Sequence, residues 1–199
     1  MTMAEVPPAI WVGARVLPWG AYVLRIALGE DAKVAFGRFR GGEPIPLPAG
    51  DYLYVGSAMG KRGSATLARR VLRHACRSGQ APPHPIWMSL QRSLRRELQE
   101  AGFPTELPRP SPKRCFWHID YLLDRPEAEL VQVFLVGSDQ RLEASLARSL
   151  AADPHTRVVA AGLGARDSDQ ATHLLRVEAA PVWWQTLPHR LVSLSQGGR

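Results

Sequence analysis

Cysteine is nearly absent: Cys76 and Cys115 are the only two in 199 residues, and no metal-binding motif surrounds either. That argues against a disulfide framework and a thiolate zinc site, and sets the expectation of a reducing compartment. Long apolar runs are also missing. The longest apolar stretch, Leu130 to Val136, is broken by Gln132 and far too short to span a bilayer, and the first residues lack the basic-then-apolar layout of a secretion signal. A cytoplasmic protein without a membrane partner is therefore expected. Acidic side chains are in deficit, with 18 Asp and Glu against 25 Lys and Arg and a formal charge of +7. The surplus suits a polyanionic partner, because phosphate binding is largely electrostatic, but it names no reaction. Long linkers are lacking as well, so one domain is expected over residues 13–194, with a helical insertion at 78–112, a loose leader at 1–12 and a tail at 195–199.

Apolar periodicity gives mixed elements. Tyr22 to Leu28, Lys33 to Phe39 and Asp51 to Val55 read as strands separated by turn-forming residues, and the three together suggest an antiparallel sheet. Ser64 to Arg77 reads as a helix with Leu67, Ala68, Val71, Leu72 and Ala75 on one face and Arg69, Arg70, Arg73 and Arg77 away from it. Ile86 to Ala101 is a second amphipathic helix. Phe116 to Leu123 and Leu130 to Val136 read as strands, Gln140 to Ala152 as a helix, and Thr156 to Ala161 and His173 to Val177 as late strands. This order predicts an α+β fold, a small central and mainly antiparallel sheet flanked by helices.

The residues with chemical potential lie in a definite order. Tyr22 opens one strand, and Tyr52 and Tyr54 share a face of another, so strand pairing would bring two phenols together. A lone strand tyrosine is ordinarily structural. Arg70 and His74 are one helical turn apart, and a forked donor beside an imidazole suits phosphodiester chemistry, although a solvated basic face explains the same residues. Lys61, Arg62, Arg69, Arg73 and Arg77 extend the basic surface and are the expected nucleic-acid contacts. Glu143 lies in the first turn of its helix, where a carboxylate complements the helix dipole or, pointing into a cleft, serves as a magnesium ligand. His118 and Asp120 fall on one face of the expected strand and would orient each other or a catalytic group. In the loop Gly162 to Asp169, the two carboxylates read as turn caps rather than a cation site.

In this order, Gly20-Ala21-Tyr22, Tyr54-Val55-Gly56, Arg70 with His74, and Glu143 opening a later helix resemble the GIY-YIG nuclease superfamily. Pro48 to Ala58, Arg73-His74 and Trp117 to Leu123 narrow the resemblance to the Uri-type endonuclease branch, over Gly20 to about Leu174. The resemblance implies a divalent-metal-dependent endonuclease using Mg2+ or Mn2+. Tyr22 would be the base for the attacking water, Tyr54 and His74 would assist, Arg70 would hold the scissile phosphate, and Glu143 would ligate the metal. DNA is favoured over RNA. The alternative is a nucleic-acid-binding module that keeps the fold without cutting. Two features depart from the pattern. The gap between Tyr22 and Tyr54 is long, and Ser168 and Gln170 precede Thr172-His173-Leu174 where relatives tend to carry a cysteine pair.

Overall fold

Strands that are apolar at both odd and even positions need cover on both faces, and Gly20–Leu28, Gly50–Ala58 and Ala128–Gly137 are of this kind, buried over most of their length. The computed structural model describes residues 9–13, 15–164 and 172–196. In chain order the elements are β1 (Ala9–Trp11), β2 (Gly20–Leu28), β3 (Ala32–Val34), β4 (Ile45–Leu47), β5 (Gly50–Ala58), α1 (Leu67–His74), α2 (Trp87–Glu100), α3 (His118–Leu123), β6 (Ala128–Gly137), α4 (Glu143–Ala151), β7 (Thr156–Val158), β8 (Leu174–Val177) and α5 (Pro181–Gln196). Six strands form one sheet in the order β1-β6-β2-β5-β8-β7, antiparallel except for the β1–β6 pair. The expected helix-flanked, mainly antiparallel sheet is the observed one.

The sheet separates two apolar cores. Tyr22, Leu24, Ile26, Tyr52 and Tyr54 face α1, α2 and α3, while Ala21, Val23, Leu53 and Val55 face α4 and α5. The 78–112 block is part of the first core, since Trp87, Leu90, Leu94 and Leu98 of α2 are buried in it. No described helix is long and apolar enough to cross a membrane.

Four expectations need correction. Residues 9–11, assigned to the leader, form a strand, because Ala9, Ile10 and Trp11 align with the edge of β6. Lys33 to Phe39 does not join the central sheet. Its first residues pair with β4 in a separate ribbon, and the left-handed Gly37 then turns the chain. Phe116 to Leu123 is helical from His118 onward. A short apolar run does not separate helix from strand by period, and Asp120 decides the matter by accepting the backbone N–H groups of Phe116 and Trp117 at the helix start. Ser195 and Gln196 belong to α5, an element the pattern reading missed. Its apolar stripe, Trp183, Trp184, Leu187 and Leu191, is buried in the second core, but Pro188 interrupts the helical signal.

Candidate active site

β2 and β5 run antiparallel with Tyr22 opposite Gly56 and Leu24 opposite Tyr54. Strand alternation sends both phenols to the α1 face as diagonal neighbours, with ring centroids 6.4 Å apart. The glycine opposite Tyr22 makes room for the ring, because a Cβ at Gly56 would stand 2.4 Å from the Tyr22 hydroxyl oxygen. Alanine there forces the buried ring or the strand to move. Gly56→Ala is expected to destabilise the fold by about 1–3 kcal/mol, seen as a lower urea midpoint with the slope of the transition preserved. An unchanged midpoint would show that the ring has slack.

α1 brings Arg70 and His74 against these rings. His74 is fully buried, with Nε2 2.9 Å from the Tyr22 hydroxyl and Nδ1 3.1 Å from Asp120 Oδ1. Asp120 can only accept when ionised, so the imidazole proton belongs on Nδ1, and Nε2 accepts the hydrogen of Tyr22. A buried line of donors thus runs from Tyr22 through His74 to Asp120. Burial lowers the His74 pKa to about 4 against the pull of Asp120, so the imidazole is neutral at pH 7.

Asp120 is the anchor of this line. Besides His74 and the two backbone donors, it accepts both hydrogen bonds from Arg73 Nη1, at 3.0 and 3.1 Å, and lies 3.5 Å from Lys113 Nζ. Burial works to raise its pKa, but His74, Lys113 and the backbone donors outweigh it and hold the carboxyl far below the usual range. Asp120 therefore pairs with His74 rather than with His118. On a helix the two residues leave the common face that a strand would give them, and His118 Nδ1 instead accepts the Gly164 N–H at 3.1 Å.

Arg70 stacks on Trp117, its guanidinium carbon 4.0 Å from the ring centroid, and Arg73 lies 4.4 Å from the same ring. Arg70 Nε is buried without an acceptor. Burial raises the Tyr22 pKa well above its ordinary value, Arg70 draws it down, and Glu143 and Asp120 push it up. Tyr54 is likewise raised by burial. The phenols are therefore protonated at rest, and the nearby cation does not suffice to make a phenolate.

Glu143 starts α4, on the other side of the sheet, and reaches over its rim. The Ser57 hydroxyl donates to Oε2, and His173 Nδ1 lies 3.0 Å from Oε1, off the line of a well-formed hydrogen bond. The His173 ring is in turn 6.3 Å from the Tyr54 ring centroid. Burial works to raise the pKa of Glu143, but His173, Ser57 and Arg70 lower it on balance. The site thus offers a protonated phenol with an acceptor behind it, a guanidinium, and an ionised carboxylate, the last two close enough to act on Tyr22.

Six of the expected residues meet here: Tyr22, Tyr54, Arg70, His74, Asp120 and Glu143. The basic surface is less uniform than its sequence suggests. Arg73 and Arg77 turn inward, Arg73 to Asp120 and Arg77 to the Ala128 carbonyl at 2.6 Å, because half-buried guanidiniums seek acceptors. Arg69 donates to the Glu106 carbonyl at 2.9 Å, while Lys61, 5.4 Å from the Trp19 ring centroid, and Arg62 remain exposed in the loop before α1. Ser57, Lys113, Trp117 and His173 were not expected as site residues. Ser57, Trp117 and His173 lie inside segments already singled out, His173 in Thr172-His173-Leu174, whereas nothing in the spacing pointed to Lys113. Asp167, Ser168, Asp169 and Gln170 fall outside the described residues.

Among the described residues, no group of three or more His, Cys, Asp or Glu side chains is placed to hold a metal ion. Neither the curated proteins nor the solved structures include a match to this chain. A family model does match, over residues 21–193, which take in both tyrosine strands, the arginine helix and the carboxylate at the start of α4. The chain belongs to the family described as Domain of unknown function DUF123.

Proposed function

We propose that the protein is a GIY-YIG-type endonuclease of the Uri branch, hydrolysing phosphodiester bonds in nucleic acid, DNA in preference to RNA. The observation that carries this reading is the hydrogen-bonded line from Tyr22 to His74 to Asp120, with Arg70 and Glu143 near its Tyr22 end. A phenol held protonated is a poor base by itself. Backed by a neutral imidazole it becomes a relay: Tyr22 receives a proton from water on its oxygen while passing its own to His74 Nε2. The resulting hydroxide attacks phosphorus, and the bond to the leaving oxygen breaks with its electron pair. Asp120 stabilises the imidazolium that forms, as an oriented carboxylate does behind a catalytic histidine. Arg70 neutralises charge on the phosphate oxygens, and Trp117 keeps its guanidinium in place.

The donor set fits one magnesium or manganese ion in a limited way. Glu143 is an ionised hard-oxygen ligand at the rim, and magnesium usually takes one or two carboxylates and completes its shell with water and substrate oxygens. Bound there, such an ion would add Lewis acidity at the phosphate. Ser57 and His173 would orient the carboxylate.

Labelled oligonucleotides incubated with Mg2+ or Mn2+ test the reading. Cleavage is expected, and Glu143→Ala should reduce it by about a hundredfold or more. Activity retained equally by Glu143→Ala and Arg70→Ala would assign the cleavage to a contaminant. One observation favours a second reading, a nucleic-acid-binding module without turnover: Ser57 and His173 already engage both Glu143 oxygens. That reading expects salt-sensitive binding, unaffected by Glu143→Ala, with no metal-dependent cleavage.

A further inference from the structure

Beside the tyrosine site, a groove of about 590 Å³ runs between α1, the start of α2 and the segment 108–117. Its charge is one-sided. Arg69, Arg73, Arg109, Lys113 and Arg114 line it, and no carboxylate does. Asp120 balances part of the charge of Arg73 and Lys113 from beneath, so Arg69, Arg109 and Arg114 carry the surplus. The rest of the wall is mainly apolar, with Leu72, Trp87, Phe116, Trp117 and prolines, and carries two hydroxyls, Ser64 and Ser111.

A duplex shows a groove its phosphates and the edges of stacked pairs, and has no use for an apolar floor. An unpaired strand has phosphates and exposed base faces together, and proteins that hold such strands combine a cationic track with aromatic and apolar platforms. One lining residue has a buried donor without an acceptor, Trp87 Nε1, and Arg70, stacked on Trp117 outside the lining, has another at Nε. Buried donors are normally satisfied, and nucleic acid is rich in acceptors. Trp117 belongs both to the groove and to the Arg70 stack, so a strand in the groove leads directly to the phosphate-binding guanidinium.

We infer that this groove binds an unpaired nucleic-acid segment and delivers it to the site, which makes single-stranded or frayed nucleic acid the substrate class. The direction of delivery rests on the nuclease reading, while the binding does not. Fluorescence anisotropy without divalent metal, using an oligonucleotide of about 12 nucleotides and the matching duplex, measures the binding alone. The single strand is expected to bind about tenfold or more tightly than the duplex. Arg109→Ala/Arg114→Ala should weaken it by about tenfold or more, whereas Arg92→Ala/Arg95→Ala, on the exposed face of α2 outside the groove, should not. Equal affinity for duplex, equal competition by poly-glutamate, or indifference to the groove variants would overturn the inference. Groove-dependent binding without cleavage in Mg2+ or Mn2+ would sink the nuclease reading alone. Cleavage by the wild type with the groove variants still binding normally would sink the groove alone.

Discussion

Tyr22→Phe is expected to lower metal-dependent cleavage by about a hundredfold or more, mainly in kcat, with KM changed by less than about threefold. The substitution removes one oxygen and leaves the ring over Gly56, so the site keeps its shape. What it loses is the donor to His74 Nε2 and, in the proposed relay, the atom that would take the proton from water. Tyr54→Phe is the internal comparison. Its ring also faces His74, at 6.4 Å between centroids, but its hydroxyl is not the one bonded to the imidazole, so the smaller loss is expected there. Equal losses in the two variants would point to packing rather than proton transfer. Activity of Tyr22→Phe within about threefold of wild type would remove Tyr22 from the mechanism.

Asp120→Ala is expected to destabilise the fold by about 3–5 kcal/mol, the usual cost of stranding buried charge by removing its partner. That is a large part of the roughly 5–15 kcal/mol that keeps a domain folded. The substitution strands Lys113 and Arg73, frees the start of α3 and leaves His74 without an acceptor for Nδ1. Asp120→Asn keeps an acceptor but loses the charge, and should fall between alanine and the wild type. Urea midpoints at pH 7 measure all three, and an Asp120→Ala variant as stable as wild type would refute the account.

The same network sets the acid response of the wild type. The His74 pKa is about 4 when folded against 6.5 ordinarily, so between these values the unfolded chain binds a proton that the folded chain refuses. Stability then falls as pH drops through that window, by on the order of 3 kcal/mol from this group. His84, lowered by burial to about 3, acts in the same direction. The depressed Asp120 contributes stability that is present above about pH 4 and lost as pH falls further. A profile flat from pH 7 to pH 4 would contradict this.

Some of the site was legible because the relevant signals are local. Gly20-Ala21-Tyr22 and Tyr54-Val55-Gly56 each specify a strand with its phenol at a fixed parity, and a helix period puts Arg70 one turn from His74 whatever surrounds them. Gly56 has a steric purpose that the motif contains but does not explain until Tyr22 is seen opposite it. The part that was misread depends on partners far along the chain. Trp117 to Asp120 has the composition of a strand, and only the burial of Asp120 among His74, Arg73 and Lys113 makes the helical start worthwhile. Arg73 and Arg77 looked like their neighbour Arg69, and their inward turn follows from acceptors supplied by α3 and β6.

By itself the sequence determined the two strands that carry Tyr22 and Tyr54, the apolar faces of α1 and α2, and the side on which each tyrosine projects, since backbone alternation and burial act over a few residues. Tertiary structure alone decided which imidazole stands behind Tyr22, which carboxylate orients it, and that Ser57 and His173 hold Glu143. Those pairings join residues from about 30 to more than 80 positions apart, where no periodicity reaches and where only the closing of a common core, with every buried charge needing a partner, selects one contact over another.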